Sequence, residues 1–166
     1  MSLPTTPGPI VVVCTANICR SPMGEGLLRH ALAAESEPLC SIPIISAGVS
    51  ARSGDVVSEN SVFALKKVGI DIAAHKSQPL TQAMLDSALL ILCMTEAHRA
   101  MIRLQASPVP RELRLFREFM PMGNRREIAD PYGGPSALYE ACRDELVEAI
   151  PSVVAHIKGL LADKPQ

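Results

Sequence analysis

Cys14 and Arg20 stand six positions apart and bracket the short run Thr15-Ala16-Asn17-Ile18-Cys19. A cysteine thiolate is a good nucleophile, and the planar fork of an arginine matches two oxygens of a phosphate, which the point charge of a lysine does not. A tight loop aims successive backbone N–H groups inward, and a helix starting just after it adds its positive end. Together these make a concave anion site, and the same field favours thiolate over thiol at Cys14. The chemistry such a pair could perform is attack of sulfur on a phosphate monoester, which splits one very slow hydrolysis into two easier steps. Taken as two residues only, such a pair is most often chance, and a cysteine at a strand end is most often an inert, buried thiol.

The flanking elements decide whether the pair is placed for chemistry. Ile10-Val11-Val12-Val13 is a continuous β-branched run, as in a strand buried on both faces of a parallel sheet, and it ends at Cys14. Ser21-Pro22 reads as a helix start, with a capping hydroxyl followed by proline, and Met23, Leu27, Leu28, Ala31 and Leu32 continue as a helical stripe. Further strands are expected at Ile42 to Ala47, an edge strand because of Pro43, then Leu89 to Met94, and Leu113 to Phe116. Helices are expected at Ser58 to Val68 before Gly69, at Thr81 to Ser87, from Thr95 to about Leu104, and from Pro135 or Ser136 onward. In that last helix Leu138, Cys142, Leu146, Ile150, Val153 and Ile157 mark the core face, and Pro151 should kink it. Strands alternating with helices predict a doubly wound α/β sandwich on a parallel sheet, whose ligands bind beyond the carboxyl ends of the strands.

The 166 residues suit one domain, read as a flexible leader over 1–9 and a single domain over 10–166. Sixteen basic against seventeen acidic residues leave a formal net charge of −1, which argues against nucleic acid or an anionic membrane as partner. Five cysteines at 14, 19, 40, 93 and 142 form no Cys-x-x-Cys pair, and no charged-then-apolar leader opens the chain, so a reducing, cytoplasmic setting is expected. The apolar run Ala88 to Met94 is far too short to cross a bilayer. The cysteines and the histidines at 30, 75, 98 and 156 lack ligand spacing, and neither a Walker loop nor Gly-x-Gly-x-x-Gly occurs. No metal and no cofactor is expected, and the chain is read as a monomer.

Cys14, Asn17, Cys19, Arg20, Ser21 and Pro22, directly after an apolar strand, reproduce the signature loop of the low-molecular-weight protein tyrosine phosphatases. The chain resembles that family from about Ile10 to Ile157, with further matches at Ser46-Ala47-Gly48, His75, Met94-Thr95 and Asp130-Pro131-Tyr132-Gly133. The fold the resemblance implies is a three-layer sandwich on a four-stranded parallel sheet in the flavodoxin-like strand order 2-1-3-4. It also implies roles. Thr15 through Ser21 would bind phosphate or a similar oxyanion, and Cys14 would attack phosphorus to form a phosphocysteine while Arg20 holds the equatorial oxygens. Ser21 would hydrogen-bond the Cys14 sulfur, and Asn17 would brace the loop in a left-handed conformation, tied down by Ser46 and His75. Asp130 would protonate the leaving group and later take a proton from water. Ile18, Arg52 and Tyr132 would line the cleft for a phosphorylated protein substrate.

Some positions depart from the family. Ala16 replaces the usual glycine and must either avoid a positive φ or adopt one at an energetic cost. Gly133 stands where the animal enzymes carry a second tyrosine, and Val49-Ser50-Ala51-Arg52-Ser53-Gly54 lacks a bulky aromatic. That thin wall and the Asp-Pro-aromatic-Gly-Gly pattern resemble bacterial protein arginine phosphatases, which are distinguished by a threonine where this chain has Ile18. A side chain without a hydroxyl there favours an aryl or alkyl ester, so phosphotyrosine and small aryl phosphates are ranked first and phosphoarginine second. Arsenate reductases share the fold but need two further neighbouring cysteines, and Cys93 lies within an apolar strand with no near partner. A binding module that reads phosphate without turnover ranks last with them. Cys19 is placed to form a reversible disulfide with Cys14 under oxidation.

Overall fold

The β-branched run at the start forms β1 (Ile10–Cys14), and all five of its residues are buried. In the computed structural model, which describes residues 6–163, it is one of two central strands of a four-stranded sheet, β2-β1-β3-β4, parallel throughout. The other strands are β2 (Ile44–Gly48), β3 (Leu90–Cys93) and β4 (Leu113–Leu115). Cys14 pairs in register with Gly48, so the end of β1 and the end of β2 open at the same level of the sheet edge. The expected strand order is therefore observed, and β2 is an edge strand, with Pro43 just outside it.

Side chains that alternate across a strand feed two separate cores. Ile10, Val12, Leu90, Leu92 and Met94 pack against α1 (Arg20–Ala33), α2 (Glu59–Lys66) and α5 (Ser136–Ala162). Val11, Val13, Ile91, Cys93, Leu113 and Leu115 pack on the other face against Leu85 of α3 (Gln82–Ser87) and Ile102 of α4 (Glu96–Gln105). This is the three-layer sandwich. Gly24 lets α1 lie close on β1, because a Cβ there would sit 3.0 Å from Val12 Cγ1 and 3.2 Å from the Phe116 ring.

Several local expectations are revised. Ser21 is not the N-cap: α1 begins two residues earlier than expected, at Arg20, its cap position is Cys19, and no side chain caps it. The Ser21 hydroxyl is engaged by Cys14 and Asn17 instead. The core face of α5 is rotated, since Leu138 is half exposed while Tyr139 and Ala149 are buried. Thr81 and Thr95 lie just before their helices and cap them, accepting from the backbone N–H of Met84 and His98. Of the leader, residues 1–5 lie outside the described residues. Pro7 to Pro9 are half-buried, and the Pro9 carbonyl accepts from the Leu89 N–H at 2.8 Å.

Candidate active site

The chain leaves β1 at Cys14 and turns through Thr15–Cys19 before α1 begins. Among the described non-glycine residues only Asn17 takes a positive φ, +59°, and Ala16 does not. That conformation is held from every side. The buried Asn17 Nδ2 donates to Ser21 Oγ (2.8 Å) and Ser46 Oγ (2.9 Å), and Oδ1 accepts from the Gln78 N–H (3.0 Å). Its carbonyl receives His75 Nε2 at 2.8 Å, so that ring nitrogen carries the proton. His75 Nδ1 faces Glu25 at 3.7 Å. Burial raises the Glu25 carboxyl above the usual carboxylate range, against the lowering pull of Arg29 and His75. The outer side of the loop is zipped to its neighbours by Val49 N–H to the Cys14 carbonyl, Ser50 N–H to Thr15 and Ser58 N–H to Ile18, at 2.8–3.0 Å. Gly48 makes this approach possible, since a Cβ there would lie 2.4 Å from the Thr15 carbonyl oxygen.

Inside the loop, Cys14 Sγ lies 2.9 Å from Ser21 Oγ. Arg20 is buried; its Nη1 donates to the Ile128 carbonyl at 2.9 Å, and its Nη2 lies 3.4 Å from Thr15 Oγ1 and 3.5 Å from Asp130 Oδ2. Asp130 reaches this edge through a segment pinned at two points. Buried Arg117 donates to the carbonyls of Arg125 and Glu145 at 2.7 Å, and the Ile128 N–H donates to the Met94 carbonyl at the end of β3 at 3.0 Å. Asp130 Oδ1 then accepts from the Tyr132 N–H at 3.1 Å, a turn that leaves half the carboxylate exposed.

These groups face one cleft of about 350 Å³, lined by Cys14 and loop residues on its floor and by Ile18, Ser50, Arg52, Asp55, Asp130 and Tyr132 around it. Tyr132 is 72% exposed and is the one aromatic in that lining. Arg52 Nε pairs with Asp55 Oδ2 at 3.6 Å in the same lining. Every residue expected at the site is therefore in it or directly behind it. The sequence does not single out Gln78, Glu25, Ile128, Arg117, Asp55 or His98, all of which act through folded contacts that no spacing announces.

The remaining thiols are differently placed. Cys93 is fully buried, donates to the Arg114 carbonyl, and burial pushes it up to about 12. Burial likewise pushes Cys142 up to about 12. Burial also raises Cys19, whose sulfur lies 3.6 Å from the Tyr139 hydroxyl. Among the described residues no group of histidines, cysteines and carboxylates is gathered for a metal ion.

A strand that ends in a cysteine, a loop closing on a buried arginine, and a carboxylate returning to the same edge define a cysteine-based phosphatase site. The sequence matches the family described as low molecular weight phosphotyrosine protein phosphatase over residues 9–162, and the chain belongs to that family. A protein-arginine-phosphatase of Geobacillus stearothermophilus is 39% identical over 137 residues, covering 82% of this chain and 87% of the relative. A probable low molecular weight protein-tyrosine-phosphatase, EpsP, of Ralstonia nicotianae is 34% identical over 153 residues, 91% of this chain and 97% of the relative. The solved structure of the YwlE arginine phosphatase from Geobacillus stearothermophilus superposes with a TM-score of 0.82 at 34% identity, covering 96% of this chain and 99% of that one.

Proposed function

We propose that this phosphatase hydrolyses phosphotyrosine in proteins, and small aryl phosphates, through a phosphocysteine on Cys14. The observation that carries the reading is the convergence of Cys14, Ser21, Arg20 and Asp130 on one cleft. The Cys14 sulfur attacks phosphorus in line, the P–O bond breaks, and Asp130 in its acid form gives its proton to the departing oxygen. Arg20 and the loop N–H groups hold the three equatorial oxygens as charge builds on them. Water then attacks phosphorus; Asp130, now a carboxylate, accepts its proton, and phosphate leaves while the Ser21 hydroxyl donates to the returning Cys14 thiolate. The Asn17 network keeps the loop in this shape before substrate arrives.

Ile18 ranks the substrates. It lines the cleft with a branched apolar side chain that suits an aryl ring and offers no hydroxyl to organise attack on a phosphoguanidinium. The second reading, a protein arginine phosphatase, is favoured by Asp55 in the same cleft, a carboxylate able to pair with a guanidinium, and by the single aromatic wall. A phosphorylated protein as substrate, phosphate in the loop as product, and a monomeric chain acting in the cytoplasm without nucleic acid or membrane complete the proposal. No helix among the described residues is long and apolar enough to cross a membrane.

The test is a side-by-side measurement of kcat/KM on phosphotyrosine and phosphoarginine peptides, with Cys14→Ser as control. Turnover should favour the tyrosine peptide and vanish in Cys14→Ser. Ile18→Thr should raise the phosphoarginine to phosphotyrosine ratio; an unchanged ratio would remove the reason for ranking them.

A further inference from the structure

Two buried polar side-chain atoms among the described residues have no hydrogen-bond partner: Arg20 Nε and His98 Nδ1. The side chains that carry them meet, through other nitrogens, at one hydroxyl. His98 is 4% exposed at the start of α4, and its Nε2 lies 2.9 Å from Thr15 Oγ1, which in turn lies 3.4 Å from Arg20 Nη2. We propose that His98 is a positioning residue that fixes the Arg20 guanidinium through Thr15. The inference rests on Arg20 being the phosphate clamp.

The guanidinium needs two fixed points to present its fork inward. Ile128 supplies one through its carbonyl on Nη1. On Nη2 the half-exposed Asp130 carboxylate lies at 3.5 Å, and the other anchor is Thr15 Oγ1, which belongs to an exposed side chain whose hydroxyl would rotate freely if nothing held it. His98 holds it. An arginine can only donate, so Thr15 Oγ1 accepts from Nη2, and the Thr15 hydroxyl is then free to donate to a neutral His98 Nε2. The result is a directed chain from Arg20 to Thr15 to His98. His98 is kept neutral first by burial and then by the Arg20 charge, against the opposing pull of Asp130 and Glu127, and its pKa falls to about 4. A charged imidazolium would have no proton acceptor at Nε2 to offer and would repel the guanidinium. An apolar residue would fill the same space without leaving a buried ring nitrogen unpaired. Its presence here is accounted for by what Nε2 does for Thr15.

The experiment is a set of variants read by kcat/KM on an aryl phosphate and by the inhibition constant of vanadate, a probe of the oxyanion site. Losing one hydrogen bond that orients a charged group should lower kcat/KM about tenfold in His98→Leu and weaken vanadate by a similar factor. His98→Gln, whose amide can reach the Nε2 position with an acceptor oxygen, should stay within about twofold of the parent. Thr15→Val should reproduce the loss, and the double variant Thr15→Val/His98→Leu should lose no more than the larger single one, because both break the same chain. Multiplying losses, an unrescued His98→Gln, or full activity in Thr15→Val would overturn the proposal. Should His98→Leu fail to fold, Thr15→Val and His98→Gln decide it alone. Arg20→Lys is the separate control: wild-type turnover there would remove the clamp itself. Loss in Arg20→Lys with none in Thr15→Val would leave the clamp standing and remove only the role of His98.

Discussion

Asp130 is the residue whose duty is least visible in its immediate neighbourhood. It sits half exposed on a turn, and nothing within its own tetrapeptide distinguishes it from an ordinary Asp-Pro bend. The role proposed for it rests on where Arg117 and Ile128 deliver it, in the lining of the cleft that also holds Cys14. If it protonates the leaving oxygen, Asp130→Asn should cut kcat/KM about a hundredfold for phenyl phosphates with weakly acidic phenols and far less for those with strongly acidic ones. Measured across a leaving-group series, the slope should steepen; a uniform loss would assign Asp130 to binding instead. At this scale the sequence is legible where a residue type has few uses. Cys14 and Arg20 are suggested by chemical type and spacing beside a β-branched run and singled out by resemblance, whereas the left-handed Asn17 and the acid role proposed for Asp130 come through the resemblance. His98 and Gln78 escape notice because a lone histidine or glutamine on a helix or loop carries no periodic or spacing signal.

Among the elements, the loop is shaped less by its own residues than by the ends of β2 and α1. Gly48 closes β2 in register with Cys14, and its missing side chain is where the Thr15 carbonyl passes. Its φ is not in the left-handed region, so an alanine could adopt the backbone; the obstruction is the contact of 2.4 Å with a carbonyl that the chain just beyond β2 holds through Ser50. Gly48→Ala should therefore displace the loop, with a fall in kcat/KM larger than its destabilisation, about 1–3 kcal/mol for overpacking, would suggest. Thermal unfolding and kinetics on the same preparation check this, and an unchanged kcat/KM would show that the loop can yield. The reading of Ser21 as a helix cap fails for a related reason: a hydroxyl can cap only if nothing else claims it, and here Cys14 and Asn17 do. The strands and their order are legible because β-branched runs between helices leave few arrangements. The rotated face of α5 is not, since an alanine and a tyrosine can replace two aliphatic residues without changing the period.

For the molecule as a whole, the sandwich couples the site to global stability, because the histidine behind the loop is also part of the packed layer. His98 is buried on α4, facing Thr15 and Arg20 with Asp130 and Glu127 nearby. Unfolded, it takes up a proton near its ordinary pKa of 6.5; folded, burial and then Arg20 defer that uptake to about 4. Between those values the unfolded chain binds more protons than the folded one, so this group's contribution is fully present above pH 6.5 and is lost as pH falls toward 4. Glu25 acts in the opposite sense. Burial raises its folded pKa above 4.5, so its contribution is present at low pH and is lost as pH rises through the folded value. The wild-type profile mixes the two, but a comparison with His98→Gln separates them, because Glu25 is common to both proteins. The stability of the wild type minus that of His98→Gln, from urea midpoints, should be level above pH 6.5 and decline steadily from there toward pH 4. A difference that stays level across that window would mean the fold does not hold His98 neutral, and the loop would then have to tolerate a positive charge beside Arg20.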